Sequence, residues 1–453
     1  MLKPGPTPAE PTRLGGLRYG VYASGNFGKN LLWGALEVAL LFILTDLLGL
    51  SPALAGGMVL ASLLLDAVLD PLIARQSDRS RGRLGRYGAY IVLGAPAAGL
   101  SFALLLALPQ LGISHPAVVM AALMLFRASY ALVDLPHNAL LARVTSHSRV
   151  RARVAGARFF FSSLASLTVA LSIAPLARQG GLSAPLLALY GGLAGTASAG
   201  VLILAWAAVR RRDEPPPAAR MLSFTRGLGA LLRHPPYLLA VGAGVVAVAA
   251  LPLFGKTLLY LTTHVLGDPA LASPVLAVGV AGQFAGLPLW TWLSGRWEKA
   301  RVLQAAHLTC AGAFAALLLL GPAPQHLVLA AFLAGIGASG VYSIVWGMVA
   351  DCADDVERRT GERPEALAFA LAILLQKVAI ALAAAGLGLL LQMAGYADAP
   401  SGAAARTAIV ATNAAAPLIG ALACAALLSG YGLTHARHAV VIRSLARRRA
   451  RTS

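Results

Sequence analysis

Apolar residues fall along this chain in blocks of roughly 18 to 30, separated by short polar stretches, and such blocks are long enough to carry a helix across a hydrocarbon core about 30 Å thick. Inside lipid a backbone satisfies its own hydrogen bonds only as a helix or a closed barrel, and unbroken apolar runs of this length select the helix. The pattern predicts transmembrane helices near 19–47, 53–77, 87–109, 115–144, 154–178 and 183–209, then near 236–266, 270–295, 302–321, 325–350, 366–394 and 405–434. The expected fold class is therefore an all-α integral membrane protein of twelve spans. Proline and charge interrupt the series once at length, from Arg210-Arg211-Arg212-Asp213-Glu214 through Pro215-Pro216-Pro217 to Pro235-Pro236. This divides the chain into a tail (1–18), a six-helix half (19–209), a linker (210–235), a second six-helix half (236–434) and a basic tail (435–453).

Composition agrees with the pattern: 58% of residues are hydrophobic and 12% are charged, more apolar surface than a water-exposed domain can hide. A formal net charge of +19 would suggest nucleic acid in a soluble chain, so the placement of the arginines decides its meaning. They sit in alternate loops: Arg75, Arg79, Arg81, Arg83 and Arg86 after the second span, Arg149, Arg151 and Arg153 after the fourth, Arg296, Lys299 and Arg301 after the eighth. The positive-inside rule then puts both termini and the linker in the cytoplasm, in a cell inner membrane. The tail from Arg437 to Arg451 suits contact with anionic lipid, and without an accompanying folded module it does not predict nucleic-acid binding. The first sixteen residues are proline-rich, with no apolar core and small-residue cleavage site, so no removable signal peptide is expected. Cys310, Cys352 and Cys424 lack metal-ligand spacing and read as buried free thiols.

A weak internal repeat supports the division, since the basic loop after the second span has a shorter counterpart in Gly295-Arg296-Trp297-Glu298-Lys299-Ala300-Arg301 after the eighth. Two six-helix halves joined by a cytoplasmic linker is the plan of the major facilitator fold, with its substrate site between the halves. Ionisable groups at membrane depth are costly, so each is a candidate for function. Asp66 and Asp70 stand four residues apart, which puts both carboxylates on one helix face. A cation, Na+ or a shared proton, between them would relieve their repulsion, whereas an ion pair with Arg75 is the structural alternative. Tyr130, Asp134 and Asn138 form a polar stripe with Arg127 a further turn away; Asp134 either lines the cavity, completing the cation site or holding a substrate hydroxyl, or pairs with Arg158. Lys29, Asn30, Trp33 and Glu37 combine an aromatic face with polar groups, as a sugar site does, although Trp33 packed against lipid or a neighbouring helix reads nearly as well. Tyr342 joins this set from the tenth span. Lys377 has about ten apolar residues on either side, too far to reach an interface easily, and needs an anion such as Asp66, Asp70 or Asp134. Lys256 reads equally as an interfacial or a functional group.

At Asp66-Ala67-Val68-Leu69-Asp70-Pro71, followed by Ser77-Asp78-Arg79-Ser80-Arg81-Gly82-Arg83-Leu84-Gly85-Arg86, the chain resembles the glycoside–pentoside–hexuronide:cation symporters of the major facilitator superfamily. Tyr19-Gly20 to Gly28-Lys29, Asp134-Leu135-Pro136, Arg158-Phe159-Phe160 and the stretch from Ala350-Asp351 through Asp355, Glu357, Thr360-Gly361, Arg363 and Glu365 to Lys377 extend the resemblance along nearly the whole chain. It implies cation-site carboxylates at Asp66, Asp70 and Asp134, and substrate-cavity residues at Arg158 and Lys377. Asp78, Arg79, Arg81 and Arg86 then form a cytoplasmic gating loop. Three departures bear on substrate: Asn30 stands where sugar-transporting members carry aspartate, Asn138 where they carry an aromatic, and Ala131 where they carry threonine. Glu37, two turns along the Asn30 face, offers a replacement acid.

These readings predict cation-coupled symport of a sugar or glycoside-like solute by a monomer, with no cofactor beyond the coupling ion. Alternatives are a carrier of a lysophospholipid-like amphiphile and a non-transporting sensor built on a transporter fold. No nucleophile elbow, phosphate loop or metal-ligand pair points to an enzyme.

Overall fold

The computed structural model describes residues 16–80, 84–144, 148–176, 180–210, 224–361 and 364–452. The first half contains α1 (Gly16–Leu47), α2 (Pro52–Arg79), α3 (Gly88–Ala107), α4 (Pro116–Val144), α5 (Ser148–Leu176) and α6 (Gly180–Val209). The second contains α7 (Pro235–Val265), α8 (Ala272–Ser294), α9 (Lys299–Leu320), α10 (Pro324–Thr360), α11 (Glu365–Met393) and α12 (Ala403–Ser429). Among the described residues eleven of these are long and apolar enough to cross a membrane. α5 alone falls short, its apolar part being Gly156–Ser172, because polar residues dilute it. α2, α7 and α10 each start on a proline, whose missing N–H would be unpaired in a first turn anyway. α10 ends on Gly361 at φ 85°, a left-handed cap that suits a residue without Cβ.

The internal repeat seen weakly in the loops is plain in the packing. In the first half α1 packs on α5 and α6, α3 on α4 and α6, and α2 on α4. Six helices later each pair recurs: α7 on α11 and α12, α9 on α10 and α12, and α8 on α10. The two halves meet chiefly where α2 lies on α11 and α5 on α8, contacts that exchange with each other under the same offset. At the α2–α11 seam the partners are small, and a Cβ on Gly56 would come within 3.1 Å of the Ala384 carbonyl and the Gly388 Cα. Such close backbone approach is how helices associate where lipid removes any hydrophobic drive between them.

Three differences from the sequence expectation have local causes. α10 runs ten residues past its predicted end at 350, reaching 37 residues or about 55 Å, because the acidic run is held by basic partners outside the apolar span. Lys299 binds Asp351 at 2.6 Å, Arg358 and Arg359 bind Asp355, and His438 meets Asp354 at 3.1 Å. The 210–235 linker contains a short helix, Phe224–Leu232, and the basic tail is helical over His435–Thr452, its first turns fastened by His438 and by His435 to Glu298. α7 is broken at Leu251-Pro252, where proline cannot donate to the helical ladder, and α1, α7 and α12 each carry a five-residue π turn, at Ile43–Leu47, Leu261–Val265 and Ala411–Ala415.

Candidate functional site

Between the halves lies a cavity of about 540 Å³, within the size range of small-molecule sites. α1 contributes Asn30, Trp33, Gly34 and Glu37 to its wall, the helical spacing expected of one cavity-facing stripe. Tyr342 of α10 and Gln283 of α8 face them from the second half, and the break in α7 brings Leu251, Pro252 and Phe254 to the wall. Four of the predicted substrate residues, Asn30, Trp33, Glu37 and Tyr342, are thus gathered here. Glu37 is already engaged: Lys256 of α7 binds its carboxylate at 2.7 Å and approaches its backbone carbonyl at 3.3 Å, an ion pair that joins the halves across the cavity wall. Lys256 therefore turns inward rather than towards an interface.

The remaining polar residues form two clusters outside this wall. Lys29, 3% exposed, sends its ammonium to Asp134 at 2.6 Å and to Asn138 Oδ1 at 2.7 Å. Asn138 also donates to Asp134 at 3.2 Å. Arg158 donates from Nε to Asn26 Oδ1 at 2.8 Å and from its terminal nitrogen to Asn138, and Ser162 accepts from Asn26 and Asn30 at 3.1 Å. The carboxylate of Asp134 thus pairs with Lys29 and not with Arg158, and neither Asp134, Lys29, Asn138 nor Arg158 is among the cavity-lining residues. The physical reason is depth: a fully buried ammonium requires a charged partner, and Asp134 faces it across α1 and α4. Tyr130 lies beneath Trp33 with ring centroids 5.7 Å apart.

The second cluster joins α2 to α11. Lys377 forms an ion pair with Asp70 and stands 3.5 Å from Asp66, so the deep lysine has found the anions its position demanded. Asp66 is 1% exposed and its Oδ1 has no hydrogen-bond partner among the described residues. Arg127 of α4 is also buried; its guanidinium stacks on Trp33 with 4.7 Å to the ring centroid, within electrostatic range of Asp66 and Glu37. The side chain of Arg75, the alternative partner for Asp66 and Asp70, lies outside the described residues, as do those of Asp78 and Arg79 and the whole of Arg81. Arg86 places its guanidinium 5.9 Å from the Tyr87 ring centroid.

A third cross-half contact closes the end of the bundle away from the chain termini. Asp46, in the π turn of α1, accepts from Tyr396 at 2.9 and 3.0 Å and meets His264, in the π turn of α7, at 2.7 Å, while Thr45 and Tyr260 bond at 3.0 Å. Sequence reading does not single out this group, nor Gln283 or Ser162. A lone amide inside the apolar run around Gln283 is a usable signal, whereas Asp46 and His264 sit at span ends, where polar residues are ordinary. Cys310, Cys352 and Cys424 are buried free thiols, and Cys310 borders the cavity. Among the described residues no group of three His, Cys, Asp or Glu side chains is arranged to hold a metal ion.

The chain matches a family described as MFS/sugar transport protein over residues 21–435. It is 25% identical over 441 residues to a putative glycoside/cation symporter, YagG, of Escherichia coli (strain K12), covering 95% of this chain and 94% of that one. It is also 25% identical over 382 residues to a glucuronide carrier protein homolog of the same organism, covering 83% of each. Among solved structures it resembles a D-xylose-proton symporter, with a TM-score of 0.62 and 11% identity over 90% of this chain and 95% of that one, a likeness of fold. A POT family transporter bound to 5-aminolevulinic acid gives a TM-score of 0.65 with 12% identity, over 91% of this chain and 96% of that one. Family, fold and paired intramembrane charges agree on a multi-pass transporter rather than an enzyme, and the chain belongs to the MFS/sugar transport proteins, in the glycoside–pentoside–hexuronide:cation symporter branch of the major facilitator superfamily.

Proposed function

We propose that this protein is a secondary active transporter that couples uptake of a sugar or glycoside-like solute to cation entry by alternating access. The observation that carries the reading is Lys377 of the second half shared between Asp66 and Asp70 of the first. A cation arriving at these carboxylates competes with the lysine, and releasing it loosens the α2–α11 seam that the rocking motion must break. Cation and solute then assist one another, each raising the other's affinity by the same factor. A proton suits the site better than Na+. Leu69 and Ala131 offer no side-chain oxygen to complete a coordination shell, whereas the unpartnered Asp66 Oδ1 needs only a proton.

The relatives, a putative glycoside/cation symporter and a glucuronide carrier homolog, support the solute class. Arginine-rich loops on the side of the termini and bacterial relatives support placement in the inner membrane with both termini cytoplasmic, and the proposal takes the protein to act there as a monomer embedded in lipid, without a nucleic-acid partner. Asp66→Asn tests the reading: in proteoliposomes it should abolish ion-driven accumulation at unchanged protein content. Full accumulation by that variant would remove Asp66 from the coupling step.

A further inference from the structure

The wall of the central cavity is poor in free hydrogen-bonding groups. Asn30 spends its amide N–H groups on the Asn26 carbonyl and the Ser162 hydroxyl, Ser166 donates back to the Ser162 carbonyl, and Glu37 holds Lys256 with one oxygen. What remains for a solute is Asn30 Oδ1, the Ser166 oxygen as an acceptor, the second Glu37 oxygen, the Trp33 indole N–H, the Gln283 amide and the Tyr342 hydroxyl, the last three without a hydrogen-bond partner among the described residues. The rest of the wall is apolar apart from three glycines and Cys310, with Val248, Leu251, Phe254, Val275 and Phe314 among its larger side chains. A free hexose brings about five hydroxyls, each with one donor and two acceptor positions, and with only Trp33, Gln283 and Tyr342 free to donate, several of those acceptor positions stay unpaired here, whereas a glycoside exchanges one hydroxyl for its substituent. Each such group carries its full desolvation cost, whereas an apolar moiety gains from the same wall.

We propose that this cavity selects a glycoside carrying an apolar aglycone. The sugar meets Asn30, Trp33, Glu37, Gln283 and Tyr342, and the aglycone fills the space walled by Val248, Phe254 and Val275. The proposal rests on the glycoside reading of the preceding section and names the part of the solute that reading leaves open. Gly279 offers a direct probe, because a Cβ there has ordinary contacts only, at 3.6 Å from the Ala331 carbonyl, and a longer side chain takes up aglycone space.

The experiment uses the full chain in lipid nanodiscs and compares phenyl with methyl glycosides of glucose, galactose, xylose and glucuronic acid by titration calorimetry. For at least one sugar the phenyl glycoside should bind ten-fold or more tightly than the methyl glycoside, about 1.4 kcal/mol. Gly279→Leu should shrink that preference below three-fold. If Gly279→Leu fails to fold, Val248→Ala replaces it and should weaken phenyl-glycoside binding at least three-fold. Equal affinity within each pair overturns the apolar-aglycone inference and leaves cation-coupled symport standing. A phenyl preference indifferent to the wall variant overturns the assigned place of the aglycone. If no glycoside binds to protein that unfolds cooperatively, the inference falls together with the glycoside reading beneath it.

Discussion

Lys29 and Asp134 show what a membrane interior demands of a single charge. With the ammonium 3% exposed, the pair is kept by the cost of leaving either member alone more than by its own attraction. Breaking such a buried pair by removing one partner typically costs about 3–5 kcal/mol, whereas replacing both is far milder. Lys29→Met should therefore lower the unfolding temperature in detergent well below that of the parent, and adding Asp134→Asn should recover more than half of the loss. Thermal unfolding of the two single variants and the double variant measures this; strictly additive losses would show that the pair is not coupled. The same depth argument made Lys377 readable in sequence, since a lysine with about ten apolar residues on each side has few ways to be satisfied. It did not reveal which carboxylate each cation would take. Lys29 and Asp134 are 105 residues apart and Lys256 and Glu37 are 219 apart, so the pairing depends on helix rotation and on the docking of the halves, which hydropathy does not encode.

At the scale of the helix, α7 combines a buried cap with a break beside the cavity. His234, just ahead of the span, accepts from the Tyr237 N–H through Nδ1 at 3.2 Å, so its proton sits on Nε2, which donates to Asp355 at 2.9 Å. Burial holds the imidazole below its ordinary value, outweighing the upward pull of Asp355. The unfolded chain takes up a proton near pH 6.5, the folded chain only at lower pH, so stability is intact above about 6.5 and declines below it. The unfolding temperature should fall between pH 7.5 and 5.5, and His234→Asn, which preserves capping chemistry, should flatten that fall. An unchanged slope would show that His234 takes no part in it. The element boundaries themselves were largely legible, because twelve apolar blocks leave little freedom in a bilayer. Where helices run beyond the apolar blocks the causes are specific: Arg358 and Arg359 hold Asp355 at i+3 and i+4 along α10 itself, whereas Lys299 on Asp351, His438 on Asp354 and His435 on Glu298 are contacts between segments that no local pattern displays.

For the molecule as a whole, two halves with the same internal packing can rock only if the contacts between them open and close as a unit. At the end away from the termini three of these act together: the Asp46–His264–Tyr396 group, the Thr45–Tyr260 bond and the glycine seam of α2 on α11. The seam is the most exacting, because backbone lies against backbone and a Cβ on Gly56 would stand 3.1 Å from both the Ala384 carbonyl and the Gly388 Cα, with no flexible side chain to yield. Gly56→Val should therefore prevent closure at this end without disturbing the packing inside either half, and the population should shift towards a state open on that side. Asp46→Asn, which weakens a polar contact but leaves the seam free to close, should shift it less. Cys310 is a natural reporter, since it borders the cavity and is buried in the closed arrangement, while Cys352 and Cys424 are buried elsewhere. In right-side-out vesicles a membrane-impermeant maleimide should label Cys310 several-fold faster in Gly56→Val than in the parent, with Asp46→Asn between them, and Gly56→Val should lose net transport. Parental labelling rates in Gly56→Val, with the protein folded, would mean that the α2–α11 seam does not control access to the cavity from that face.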